Sequence, residues 1–137
     1  MQEAVGLSLK RHKIDLSKES GHQYAVILWS QQTGVRQRWP ELALLHHIPN
    51  GGSRNEIEAV QMKRQGVKSG VPDLHLPVPR GEYASLYIEL KRPGGIVSDN
   101  QERWISALES VGNRACVCYG WEDAVKCLKD YLSLPKK

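Results

Sequence analysis

Apolar and polar residues alternate from Leu86 to Lys91: Leu86, Ile88 and Leu90 share one side, Tyr87, Glu89 and Lys91 the other. That is the period of a strand with one core-facing side. Residues 84–91 are therefore predicted as a strand, with Val71–Leu76 as its partner and a loop containing Pro77, Pro79, Arg80 and Gly81 between them. Three stretches have instead the spacing of helices that open on a capping box. In the first, Ser20 and Gln23 precede Tyr24, Ile27 and Leu28, predicting a helix to about Gln31 that Thr33-Gly34 ends. In the second, Ser53 and Glu56 open a helix to about Gln65, stopped by Gly66. In the third, Ser98 and Gln101 precede Trp104, Ile105, Leu108 and Val111, and Gly112-Asn113 stops the helix. The apolar run Leu42–Ile48 predicts a strand after the boundary at Pro40, and Ala115–Tyr119 predicts a short buried one. Trp121, Ala124, Val125, Leu128 and Leu132 mark a last amphipathic helix, with Glu122 and Lys126 as a supporting pair one turn apart.

The predicted order is α-β-α-β-β-α-β-α, which one mixed central sheet flanked by helices accommodates: an α/β domain over residues 17–134. Residues 1–16 form a basic leader, a flexible arm or a partly ordered segment, and residues 135–137 a tail.

Composition adds little to this picture. In 137 residues, 40% are apolar, enough for one core. Nineteen Lys and Arg against fifteen Asp and Glu give +4, compatible with phosphate backbones but not diagnostic of them. Three cysteines, Cys116, Cys118 and Cys127, have no framework spacing and suit reduced thiols in a cytoplasmic protein. No apolar run has the length of a membrane span, and the polar N-terminus does not resemble a signal peptide.

The candidate chemistry lies on the two paired strands. Asp73 follows Pro72, and Glu89 and Lys91 share a strand face. A magnesium ion is satisfied by one or two carboxylates plus waters and a phosphate oxygen. Asp73 and Glu89 would supply the carboxylates, and the Leu90 carbonyl a further oxygen. Lys91 would orient or deprotonate the attacking water, or stabilise the transition state. Taken alone, Asp73 is also an ordinary turn residue. Arg54, Lys63 and Arg64 on the second helix and Lys68 beyond it are either a solvated face or a phosphate-contacting one, beside the turn Asn50-Gly51-Gly52. Arg92, next to Lys91, belongs to the same candidate DNA-binding set. His46 and His47 are adjacent and face opposite ways on a strand. His75 shares the Asp73 side, as a site neighbour or a surface residue.

The ordered set Ile48-Pro49-Asn50-Gly51-Gly52, Gly66–Leu74, Ile88-Glu89-Leu90-Lys91 and Asn100-Gln101 resembles the VRR-Nuc branch of the PD-(D/E)XK nuclease superfamily, with similarity from about Gly21 to Trp121. The resemblance implies a restriction-endonuclease-like core and a metal-dependent endodeoxyribonuclease using Mg2+ or Mn2+ but no organic cofactor. Stand-alone members resemble phage and bacterial proteins that act as homodimers on branched DNA, with resolution of four-way (Holliday) junctions the most specific activity implied. It also places Gln101 near the active site, besides its capping role. The family puts a glutamate on the first helix where this chain has His22, so His22 becomes a candidate ligand or water contact, with Glu19 a weaker one. The rival functions are a flap, duplex-end or restriction-like nuclease, and a nucleic-acid-binding module whose metal site has degraded.

Overall fold

In the computed structural model, which describes residues 9–49 and 55–136, the alternation at Leu86–Lys91 forms the middle of the sheet. The elements in chain order are α1 (Glu19–Ser30), α2 (Thr33–Arg38), a 3-10 turn (Pro40–Leu44), β1 (His46–His47), α3 (Glu56–Arg64), β2 (Leu74–Leu76), β3 (Leu86–Lys91), α4 (Asp99–Ser110), β4 (Arg114–Tyr119) and α5 (Trp121–Leu132). The strands lie in the order β1-β2-β3-β4, with β1–β2 and β2–β3 antiparallel and β3–β4 parallel. The parallel pair needs a crossover, which α4 supplies. Leu86, Ile88 and Leu90 enter the core with Ala25, Val26 and Trp29 of α1 and Ala124, Val125 and Leu128 of α5. The mixed sheet flanked by helices is thus the architecture the sequence predicts.

Several local expectations are corrected. The first helix starts two residues before the predicted cap: Lys18 is its N-cap, without a side-chain cap bond, and Ser20 lies inside the first turn. The leader explains this. A Cβ on Gly21 would stand 1.9 Å from the Asp15 carbonyl oxygen, so residues 15–16 lie directly against the helix start and glycine alone permits that approach. Leu9 is buried and Ile14 packs on the core, so the leader from residue 9 onward belongs to the folded body; residues 1–8 lie outside the described residues. The helix does end beside the predicted Gln31, at Ser30, but Thr33-Gly34 opens α2. The apolar run at Leu42–Ile48 is mostly not a strand. With Pro40 at its first turn it winds as a 3-10 helix, and only His46–His47 pair with β2. Leu42 still reaches the core while Leu44 is exposed.

Ser53 lies outside the described residues, and the cap of α3 is Asn55, whose side chain accepts from the Glu58 N–H. The predicted stop is realised: the Gly66 N–H donates to the Lys63 carbonyl and the Val67 N–H to the Met62 carbonyl, the paired bonds that close a helix C-terminus. On α4 the capping box is complete in both directions. On α5, Lys126 pairs with Asp130 at 2.9 Å rather than with Glu122. All three cysteines are free thiols, Cys118 buried and the others half-buried. No helix of the described residues is long and apolar enough to cross a membrane.

Candidate active site

Asp73 stands one residue before β2, where no ladder bond fixes it, yet three donors do. The Leu90 N–H of β3 donates to Asp73 Oδ2 at 2.8 Å. The Ile48 N–H donates to the Asp73 carbonyl at 2.8 Å, and His47 Nδ1 lies 2.9 Å from that same oxygen. The turn leading to Asp73 is held from α4: Asn100 Nδ2 donates to the Ser69 carbonyl at 2.8 Å. Gly70 in that turn has φ +90°, and a Cβ there would lie 2.6 Å from Asn100 Nδ2. Both the backbone conformation and the close approach call for glycine.

Glu89 is opposite Asp73 when the β2–β3 register is extended by one pair beyond Leu74↔Ile88. It is only 1% exposed, which removes the possibility of a solvated strand face. Neither carboxyl oxygen receives a hydrogen bond from any donor. Its close neighbour is another carboxyl group, Asp73, with which it can only share a proton. Burial, then the contact with Asp73 and the Asp73 charge, push the Glu89 carboxyl up to about 9, and Lys91 offsets this only in part. A buried carboxyl without donors, set against a second carboxyl, lacks a positive charge, held either as a proton or as a cation.

Next to this pair lies an open cleft of about 350 Å³. Asp73, Leu90, Lys91 and Gln101 line it, so the structure brings these predicted residues together, with Glu89 buried behind them. Gln101 serves both readings made of it: Oε1 accepts from the Ser98 N–H at 2.9 Å, closing the cap, while the residue lines the cleft. Lys91 is buried and its Nζ lies 3.5 Å from Glu19 Oε1. Glu19 is half-exposed, so the pair contributes little stability; its consequence is to hold the ammonium along the cleft wall.

The first-helix residues at the cleft are Glu19, Ser20 and Gln23. His22 is not among them, and its candidacy as a metal ligand is corrected. The imidazole is 5% exposed and both nitrogens are engaged. A backbone N–H can only donate and a carbonyl only accept, so Nδ1 accepts from the Trp121 N–H at 3.0 Å and Nε2 donates to the Leu16 carbonyl at 2.8 Å. His22 ties the leader and α5 to α1, and no lone pair remains for a metal. Because the helix starts earlier than the capping pattern predicts, Glu19 rather than His22 takes the first-helix place at the cleft.

His75 is also occupied elsewhere. The Ser85 hydroxyl donates to Asn113 Oδ1 at 2.7 Å, which leaves it to accept from His75 Nε2 at 3.0 Å. The ring stacks on Tyr87 at 4.1 Å, and burial, then His46, lowers its pKa. His47, Ser20 and Gln23 are cleft residues that sequence reasoning missed. Of the candidate DNA contacts, Lys63, Lys68 and Arg92 are exposed, and Lys68 lines a second groove with Ile48, Val71 and Trp104. Asn50, Gly51, Gly52 and Arg54 lie outside the described residues.

Among the described residues no three His, Cys, Asp or Glu groups converge as a ready cage for a metal. What the chain offers is the pair Asp73 and Glu89, and Mg2+, which keeps several waters, is held by that number of carboxylates. The orphaned oxygens of Glu89 fit such a cation.

The VRR-NUC domain family model matches residues 11–122. A solved structure described as a VRR_NUC domain protein is similar to 86% of this chain and 90% of its own, at 32% identity with a TM-score of 0.71. No curated protein matches the chain. The matched span contains every residue of the cleft, and its fold is the restriction-endonuclease-like arrangement of a mixed sheet between helices. The chain belongs to the VRR-NUC domain family, a family of nucleases.

Proposed function

We propose that this protein is a structure-selective DNA endonuclease, dependent on Mg2+ or Mn2+, that resolves four-way junctions as a homodimer. The observation that carries the metal dependence is the buried Glu89 carboxyl, facing Asp73 with both oxygens lacking a donor. Asp73, Glu89 and the Leu90 carbonyl would hold the cation. Once bound, it supplies positive charge to the scissile phosphate and makes water a better nucleophile. The chain's own residues do the rest. The Leu90 N–H fixes which oxygen of Asp73 remains available. The Lys91 ammonium, held beside Glu19, neutralises charge on the phosphate as it is attacked. Gln101, with Oε1 pinned by the cap, presents a fixed amide edge to the cleft. Exposed Lys63, Lys68 and Arg92 suit phosphate contacts flanking the cut.

The junction preference and the dimer rest on the resemblance to stand-alone VRR-Nuc proteins. A two-fold dimer presents two equivalent clefts, as paired cuts in a two-fold junction require. The test is cleavage of a labelled four-way junction beside linear duplex, single strand and flap, with Mg2+, Mn2+ or chelator, and with Lys91→Ala as control. Metal-dependent symmetrical nicks in the junction, absent in the variant, are expected. Cutting of flap or duplex alone would keep the nuclease and discard the resolvase. Binding without cutting under either metal would leave a nucleic-acid-binding module. A strict monomer by light scattering, with and without DNA, would sink the paired-cut mechanism.

A further inference from the structure

The proposed metal site depends on a carboxylate at the entry to β2, where the backbone has no ladder partner. The β1–β2 ladder ends at His47↔Leu74, and Pro72 on the other side of Asp73 has no N–H to contribute. The Asp73 carbonyl is instead taken by two donors, the His47 ring on the edge strand and the Ile48 N–H just after it. A carbonyl only accepts, so His47 Nδ1 carries the proton in this bond. The contact joins residues 26 apart in the chain, and it is the one side-chain donor to the Asp73 backbone among the described residues. His47 also lines the cleft, so the ring sits against the space that the ligands enclose.

We propose that His47 is a positioning residue for the metal site: by clamping the Asp73 carbonyl it fixes the direction in which the Asp73 carboxylate is presented. The inference rests on the nuclease reading above but is tested separately from it. Groups that orient metal ligands change metal affinity by about 10–100-fold when removed, and His47 is expected at the lower end because the Ile48 and Leu90 bonds remain.

The experiment measures Mn2+ binding to the full chain by the electron paramagnetic resonance signal of free Mn2+, for wild type, His47→Ala, His47→Asn and His47→Gln, with thermal melting as the folding control. An asparagine Nδ2 stands close to where the imidazole Nδ1 stands and can still donate; a glutamine amide reaches instead toward the Nε2 position. His47→Ala and His47→Gln should weaken Mn2+ binding about 10-fold and raise the Mn2+ concentration needed for half-maximal cleavage in parallel, with little change in the KM for DNA. His47→Asn, which keeps the donor, should bind Mn2+ distinctly more tightly than His47→Ala and close to wild type. Equal Mn2+ affinity in wild type and His47→Ala overturns the proposal. So does a folded His47→Asn that binds as weakly as His47→Ala. A wild type that binds Mn2+ but cuts no DNA overturns the nuclease reading while the His47 series still decides the clamp; one that binds no Mn2+ overturns both.

Discussion

The two ends of the β2–β3 pair each bury an ionisable group, and they treat it in opposite ways. At the loop end, Arg80 is buried with its guanidinium paired to Glu41 and donating to the Pro79 carbonyl. The surrounding loop is knotted to the C-terminal segment: the Gly81 N–H donates to the Pro135 carbonyl and Tyr131 to that of Val78. At the cleft end Glu89 is buried as deeply with no donor at all. A buried charge with partners is a structural group; one without them costs stability until something else supplies the opposite charge. The same sheet thus has a pole whose charge is matched within the fold, with only Arg80 Nε lacking a partner, and a pole whose two carboxyl oxygens are both unmatched.

That contrast breaks if substitutions at the two poles give the same phenotype. The largest effect is expected at the cleft. Lys91→Ala should lower kcat by on the order of 10²–10⁴-fold in a single-turnover cleavage assay while the melting temperature changes little. Next, Glu41→Ala leaves the Arg80 guanidinium without its carboxylate and should cost about 2–4 kcal/mol, somewhat below a fully buried pair because Glu41 is partly exposed. Urea unfolding measures it, and cleavage per folded molecule should stay at the wild-type value.

Glu89→Gln sharpens the comparison because it should abolish cleavage and yet stabilise the metal-free fold. Glu89 is raised from 4.5 to about 9 on folding, so the folded state holds its proton more tightly than the unfolded chain. The stability this favours is complete below pH 4.5 and is lost as pH rises toward 9. Glu89→Gln removes that slope, so it should be more stable than wild type at pH 8, with the gain vanishing near pH 4.5. Mn2+ should raise the wild-type melting temperature at pH 8 and leave the variant unmoved. The smallest effect concerns the residue that proved structural. His22→Ala should cost about 1–2 kcal/mol for the two unpaired backbone groups and leave Mn2+ affinity unchanged; a loss of metal binding at unchanged stability would restore it as a ligand.

What could be read in the sequence was whatever is encoded by local period and spacing. The Leu86–Lys91 alternation, the Ser98–Gln101 cap and the Gly66 stop each depend on residues within a few positions of one another. Asp73, Glu89 and Lys91 were legible because a strand face repeats every two residues and a short loop fixes the pairing. Glu19 was misjudged for a physical reason: Ser20 and Gln23 have the spacing of a cap, but the approach of Asp15 to Gly21 moves the helix start to Lys18 and turns Glu19 to the cleft. The run Leu42–Ile48 misled because Pro40 favours a tight turn that apolar content does not reveal. His47 was invisible because its partner is set by cross-strand register, which no local pattern specifies.

The sheet order carries one more consequence. β3 is paired on both sides over Leu86–Ile88 and with β4 alone over Glu89–Lys91, whereas β1 is a two-residue edge joined to a single neighbour. Amides open to solvent exchange in that order of protection, edge first and centre with global unfolding. Glu89 is held by the six-residue β3–β4 ladder, and the His47 clamp by a two-residue edge that exchanges earlier. The proposed ligand pair is held more firmly at Glu89 than at Asp73, so a cation bound there would enter and leave past Asp73.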